Sequence, residues 1–146
     1  MYRVFILILA LAIAAPFLPV PAKAEPAAVN LMNQFRSKHR RDTLDFSRAL
    51  ELAAIRHAED MAKHGFLGHR GSNGSTVADR VRAQGYHFCY LAENVARGQR
   101  SLEGVMRAWE KSKSHRKNME SRKVTEFAVA RGPNNFWVMV LADPGC

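Results

Sequence analysis

From Pro26 to His39 the apolar residues Val29, Leu31, Met32 and Phe35 recur at helical spacing, and His39-Arg40-Arg41 puts positive charge where a helix C-terminus favours it. The strongest stripe follows. Leu50, Ala54, His57 and Met61 stand at i, i+4, i+7 and i+11, which predicts a helix over 44–64. Asp45 or Ser47 can cap its start, and Gly65 can close it. Phe66 to Ser75 carries three glycines and reads as a loop. Thr76 to Gln84 reads as a short helix, with Thr76 and Asp79 spaced as a capping box and Gly85 as the stop. Tyr86 to Gly98 mixes aromatics with Leu91 and Val95 and is expected to hold an irregular segment and a short strand. Ser101 caps a helix running to about Lys111, with Leu102, Val105, Met106 and Trp109 facing inward. Thr125–Ala130 and Phe136–Leu141 are β-type runs around the turn Gly132-Pro133-Asn134-Asn135, hence a hairpin. Helices first and antiparallel strands last fit an α+β layered domain.

The N-terminus changes where that domain starts. Met1-Tyr2-Arg3 carries one positive charge, and Val4 to Val20 is uncharged and apolar. Pro16, Pro19 and Pro21 break its end before Ala22-Lys23-Ala24, a small-x-small cleavage pattern. Residues 1–24 therefore read as a signal peptide and 25–146 as the mature domain, secreted or periplasmic. The alternative, a membrane anchor, wants about 20 unbroken apolar residues. Of 146 residues, 22 are basic and 13 acidic, a formal charge of +9. Cleavage removes Arg3 and Lys23, leaving twenty basic residues against thirteen acidic ones, a charge of +7. Such a chain buries about two thirds of its unfolded surface, enough for one core. No internal repeat appears, which excludes a solenoid or propeller. In an oxidising compartment Cys89 and Cys146 are expected to form a disulfide, the alternative being two free thiols.

Four ionisable residues stand out as candidate chemistry. His69 sits in Gly68-His69-Arg70-Gly71, Glu93 lies between apolar neighbours in Leu91-Ala92-Glu93-Asn94-Val95, His115 follows the Trp109 helix, and Glu126 opens a strand. Two imidazoles and two carboxyls suit two jobs. Neutral imidazoles bind Zn²⁺, with carboxylates orienting them. Without metal the same groups shuttle protons, Glu93 and Glu126 being the catalytic candidates. His57 lies on the apolar stripe and is expected to be a buried core histidine. Neither a G-x-S-x-G elbow nor H-E-x-x-H is present, so a metal-activated water is the economical nucleophile for any hydrolysis.

The segment Trp109-Glu110-Lys111-Ser112-Lys113-Ser114-His115-Arg116-Lys117-Asn118-Met119 resembles the W-x-x-S-x-x-H-R-x-N-aliphatic signature of bacterial CAP-superfamily (SCP-like) domains. These are relatives of cysteine-rich secretory proteins, venom antigen 5 and plant pathogenesis-related protein 1. Further boxes agree in order: His57-Ala58-Glu59-Asp60-Met61-Ala62, the glycine loop Gly65–Gly74, Ala92-Glu93-Asn94-Val95-Ala96 and Thr125-Glu126-Phe127-Ala128-Val129-Ala130. The resemblance runs from about Leu31 to Leu141. It implies a three-layer α-β-α sandwich with a central antiparallel sheet and a cleft holding the tetrad His69, Glu93, His115 and Glu126. It also implies zinc or another divalent metal on His69 and His115, with Asn94, Ser112 and Asn118 as supporting hydrogen bonders. Ser112 stands where animal and plant members have an acidic residue, Ala128 replaces a usual glycine, and Lys113-Ser114 replaces a common Pro-Gly.

Three function classes follow. The first is an exported binding module whose cleft takes a small or lipid-like ligand, with or without a divalent metal. The second is a metal-assisted, peptidase-like hydrolase using the same His/Glu set, and binding ranks above catalysis. The third is attachment to an anionic cell-envelope surface: Lys111, Lys113, Arg116, Lys117, Arg122 and Lys123 face Glu120 alone across thirteen residues. The plain alternative is a solvated basic face. Nucleic acid is not expected as a partner, and a monomer is.

Overall fold

The computed structural model describes residues 24–145. The signal-peptide reading up to residue 23 and Cys146 lie outside the described residues. In chain order the elements are α1 Ala24–Lys38, β1 Asp45–Phe46, α2 Arg48–His64, α3 Val77–Arg82, β2 Phe88–Arg97, α4 Leu102–Lys111, α5 Lys113–Met119, β3 Glu126–Arg131 and β4 Phe136–Pro144. The strands form one sheet in the order β1-β3-β4-β2. β4 lies inside it, antiparallel to β3 on one side and to β2 on the other.

Strand alternation divides the core in two. Phe127, Val129, Trp137, Met139 and Leu141 face a layer made by α1, α4 and α5, which contributes Met32, Phe35, Val105, Trp109 and Met119. Ala128, Ala130, Val138, Val140 and Ala142 face α2 and α3, which contribute Leu50, Ala54, Ala58, Met61 and Val81. Every residue from Phe136 to Ala142 is buried, as expected of a strand covered on both faces. Each large apolar side chain sealed this way contributes about 1.5–3 kcal/mol. The alanines on the α2 side let that helix lie close. A Cβ on Gly132 would stand 2.8 Å from the Ala58 carbonyl carbon, so this turn has room for glycine alone. The fold is thus α+β in three layers, with helices on both faces of the sheet.

Several elements differ from the sequence-based expectation. The helix expected from Leu44 starts at Arg48. Asp45 and Phe46 instead pair in parallel with Glu126 and Phe127, through Asp45 N–H to the Thr125 carbonyl and Ser47 N–H to the Phe127 carbonyl. The sheet is therefore mixed at that edge rather than wholly antiparallel. Ser47 holds the N-cap position without a side-chain cap bond, whereas Gly65 closes α2 at φ 70° as expected. Tyr86–Gly98 holds one ten-residue strand, because β4 offers a ladder along nearly its whole length. β4 itself continues to Pro144, past the expected Leu141. The irregularity in β2 is a register shift between Phe88 and Tyr90. Phe88 lies opposite Pro144, which brings Cys89 beside the end of β4. Helix α5 has no apolar period in its sequence; it is held by the Asn118 side chain, which bonds β2, and by Met119, which is buried in the core.

Candidate functional site

The site grows from the edge strand β2. Its alternation turns Glu93 toward the α2 layer and Asn94 toward the α4–α5 layer, and both are buried. A buried carboxylate needs donors, and Glu93 has two. His69 Nδ1–H donates to Oε1 at 2.8 Å, and Arg80 donates to Oε2 at 2.7 Å. The same guanidinium donates to the carbonyls of His69 at 3.1 Å and Ser75 at 3.0 Å, tying the glycine loop to α3. The Thr76–Asp79 capping box forms as the spacing predicts and sets the start of α3. Arg80 lies one turn on, behind Glu93. Sequence reasoning missed Arg80. The signal available was a buried carboxylate lacking a named partner, but nothing in the chain said which of many arginines would meet it.

His57 is fully buried beside this pair. Its Nε2–H donates to the Gly68 carbonyl at 2.7 Å and lies 3.9 Å from Glu93 Oε1, and its Nδ1 has no partner among the described residues. Burial holds His57 below the ordinary imidazole pKa, against the pull of Glu93. His69 behaves oppositely. Its bond to Glu93 raises its pKa over the opposing effect of partial burial. Its side chain is 59% exposed, and with Nδ1 committed to Glu93, Nε2 is the ring nitrogen left for a ligand. Leu67, among the largest exposed apolar side chains, rims the same loop.

His115 comes from the other layer, on α5. Burial lowers its pKa, and a charge on His69 lowers it further, so the two imidazoles sense one another. What holds α5 there is the W…H-R-x-N segment acting on the free edge of β2. Trp109 Nε1–H donates to the Val95 carbonyl at 3.3 Å. Asn118 Nδ2 donates to the Asn94 side-chain oxygen at 2.8 Å and to the Glu93 carbonyl at 3.3 Å. Asn94 Nδ2 donates in turn to the His115 carbonyl at 3.1 Å. Ser112 sits at the α4–α5 junction with its hydroxyl 3.3 Å from that of Ser114, away from this network.

Glu126 is set apart. It shares a sheet face with Glu93, but the register places it two strands away and one two-residue step along, a Cα separation on the order of 12 Å. Its Oε2 accepts the Tyr86 hydroxyl at 2.9 Å, and burial together with that carboxylate drives the Tyr86 pKa upward. The structure therefore brings His69, Glu93 and His115 to the β2 edge and gives Glu126 a different partner. Among the described residues no group of three or more His, Cys, Asp or Glu is arranged to hold a metal ion. The donor set at the β2 edge fits at most a two-imidazole site completed by water. A recess of about 460 Å³ opens beside Arg80, lined by Asp60, Ser72, Asp79 and Gln84 and by neither His69 nor His115.

The comparisons with known proteins agree with this architecture. The Bacillus subtilis protein YkwD is 29% identical over 105 residues, covering 72% of this chain but 41% of its own length. An extracellular SCP-domain protein of Bacillus anthracis superposes with a TM-score of 0.78 at 22% identity, over 88% of this chain and 45% of that one. An outer surface protein of Borrelia burgdorferi gives 0.77 at 19% identity, over 86% and 97%. The chain thus spans less than half of the first two relatives, and at these identities the two solved structures speak for the fold. The profile of the cysteine-rich secretory protein family matches residues 29–141, from α1 into the last strand and across the whole β2-edge site, and the chain belongs to that family, CAP.

Proposed function

We propose that this chain is an exported CAP-domain binding module whose site is the imidazole pair His69 and His115 at the β2 edge. The observation that carries the reading is the Arg80–Glu93–His69 chain of bonds. A buried carboxylate oriented from behind and bonded to one ring nitrogen fixes the tautomer and leaves the other nitrogen to a ligand, the arrangement found behind metal-bound histidines. His115, held toward its neutral form, keeps a lone pair available. A divalent metal such as zinc would be held by His69 and His115 with water completing the shell, and would supply Lewis acidity there. Glu93, engaged on both oxygens, positions His69 rather than touching a ligand. The polar lining favours a small polar ligand or ion at this place. A lipid-like ligand would have to use instead a groove of about 270 Å³ between α1 and α4, where Leu31, Phe35, Met106 and Met119 are ringed by Gln34, Lys38, Glu103, Arg107 and Glu110.

Export is supported by the leader pattern and by the extracellular and outer-surface descriptions of the two solved relatives. A bond from Cys89 to Cys146 belongs to the same reading: Phe88, next to Cys89, pairs with Pro144, two residues before Cys146 in the sequence. The hydrolase reading uses the same groups. It is weakened by the placement of Glu126, since His69 and His115 then work without a second free carboxylate. The test is calorimetric zinc titration of the wild type, His69→Ala and His115→Ala. Saturable weak binding in the wild type, lost in both variants, is expected. Equal heats in all three would sink the metal site. EDTA-sensitive peptide cleavage that His115→Ala abolishes would put the enzyme reading first.

A further inference from the structure

The fold joins two basic segments some eighty residues apart into one surface. The end of α1 docks on the end of α5: Arg41 Nε–H donates to the Glu120 carbonyl at 2.7 Å, and His39 Nδ1 meets the Glu120 carboxylate at 3.0 Å. Lys38, Arg40 and Arg41 thereby join Lys117, Arg122 and Lys123, and all but the half-buried Arg41 are exposed. The acids within this end are largely engaged. Glu120 is shared by His39 and Arg116, Glu110 lies 4.0 Å from His39, and Asp42 remains.

A second observation marks the same place. Arg40 has φ +54°, a left-handed backbone at the turn that ends α1, with Arg41 N–H bonded back to the Arg36 carbonyl. Glycine or asparagine takes that position at lower cost. An arginine kept in a strained position points to a use for its side chain outside the fold, since its guanidinium has no part in the bonds that close the turn.

We infer that this joined basic end, Lys38–Arg41 with Lys117, Arg122 and Lys123, docks the protein on an anionic phospholipid surface by charge alone. The cations are spread over the ends of two elements, and Lys38 is the one of them that lines the neighbouring recesses, so neither recess gathers two of them around one phosphate, which suits an array of equivalent headgroups rather than one discrete anion. The large exposed apolar side chains, Leu52 and Leu67, belong to the α2 side of the sheet, so the patch has no wedge to insert. The choice of a membrane rests on the export reading, because an exported chain meets the outer leaflet first. The imidazole site is not involved.

The experiment is vesicle co-sedimentation of the mature chain, residues 25–146. Phosphatidylcholine vesicles with and without phosphatidylglycerol are compared across a salt series. Binding is expected on the anionic vesicles, absent from the neutral ones, and lost as salt shortens the Debye length. Lys38→Gln with Arg40→Gly, and separately Lys117→Gln with Lys123→Gln, should each lower partitioning roughly tenfold or more, at about fivefold per cation. Arg40→Gly alone should weaken binding while the melting temperature stays or rises. The remote pair Lys63→Gln with Arg100→Gln should bind as wild type. Equal losses from the remote pair, equal binding to neutral vesicles, persistence at high salt, or capture by soluble polyphosphate without vesicle binding would each overturn the proposal. Cell fractionation tests export separately, so a non-exported protein that still binds vesicles refutes the leader reading and not the patch.

Discussion

At the scale of single residues the site is a contrast between three histidines. His69 is pulled up by Glu93, while His57 and His115 are pushed down by burial, all from an ordinary value of 6.5. The signs matter for stability. His69 favours the fold most when protonated, so its contribution is complete below the unfolded pKa and is lost as pH rises through its raised folded value. His57 and His115 are held neutral, so theirs is present above the unfolded pKa and lost as pH falls through their lowered values. In an NMR titration His69 should turn over above 6.5 and His115 below it. Glu93→Gln should bring the His69 midpoint down without lowering that of His115. A His69 midpoint unmoved by this change would show that Glu93 does not hold it. Protons and a metal compete for the same Nε2, so zinc affinity in the wild type should drop as pH falls through the His69 midpoint.

At the scale of elements, the segment that identifies the family in the sequence turns out to work as an edge cover. An exposed strand edge leaves backbone groups unpaired. Trp109 and Asn118 supply side-chain donors to the outward carbonyls of Val95 and Glu93. Trp109→Phe removes one donor and part of a fully buried indole, and should cost about 2–4 kcal/mol. Asn118→Ala strips the donor from both Glu93 and the buried Asn94, and should cost about 1–3 kcal/mol and speed amide exchange along β2. Chemical denaturation and hydrogen exchange measure both. A neutral Asn118→Ala would mean that water covers the edge as well. These bonds also explain what was legible beforehand. α1, α2, α3 and α4 and the final hairpin announce themselves through local period, caps and glycines. α5 and the full length of β2 do not, because their stability comes from partners distant in the chain. Of the candidate site, His69 and Glu93 could be named from the glycine loop and the apolar flanks of the carboxylate. His115 could be named from its place after the Trp109 helix, and the resemblance tied it to the other two. Arg80 could not be named at all, and neither could the Tyr86 hydroxyl on Glu126, because a strand register cannot be counted from one strand.

At the scale of the molecule, the two outer layers are fastened differently. α2 is seated by close packing, through Gly132 against Ala58, and α1 is seated by a buried cation. Arg36 is 1% exposed and lies among carbonyls: it donates to Asp42, to Met119 at 2.8 Å and to Ser121 at 3.0 Å. Burial lowers its pKa, yet a guanidinium stays charged in proteins. That charge is tolerable here because it sits at the C-terminal ends of both α1 and α5, where helix dipoles present their negative ends. Arg36→Met keeps most of the packing and leaves the Met119 and Ser121 carbonyls without their donor. The expected loss is about 3 kcal/mol, which for a domain of this size lowers the melting temperature by roughly 10 °C. Arg36→Lys restores the charge without the planar fork and should recover part of it. The same clamp holds Lys38–Arg41 against Lys117–Lys123, so Arg36→Met should also weaken vesicle binding at temperatures where the chain remains folded, although residue 36 itself never reaches the surface. If Arg36→Met lowers stability but leaves vesicle affinity untouched, the two basic segments act independently, and the joined surface is not what the membrane reads.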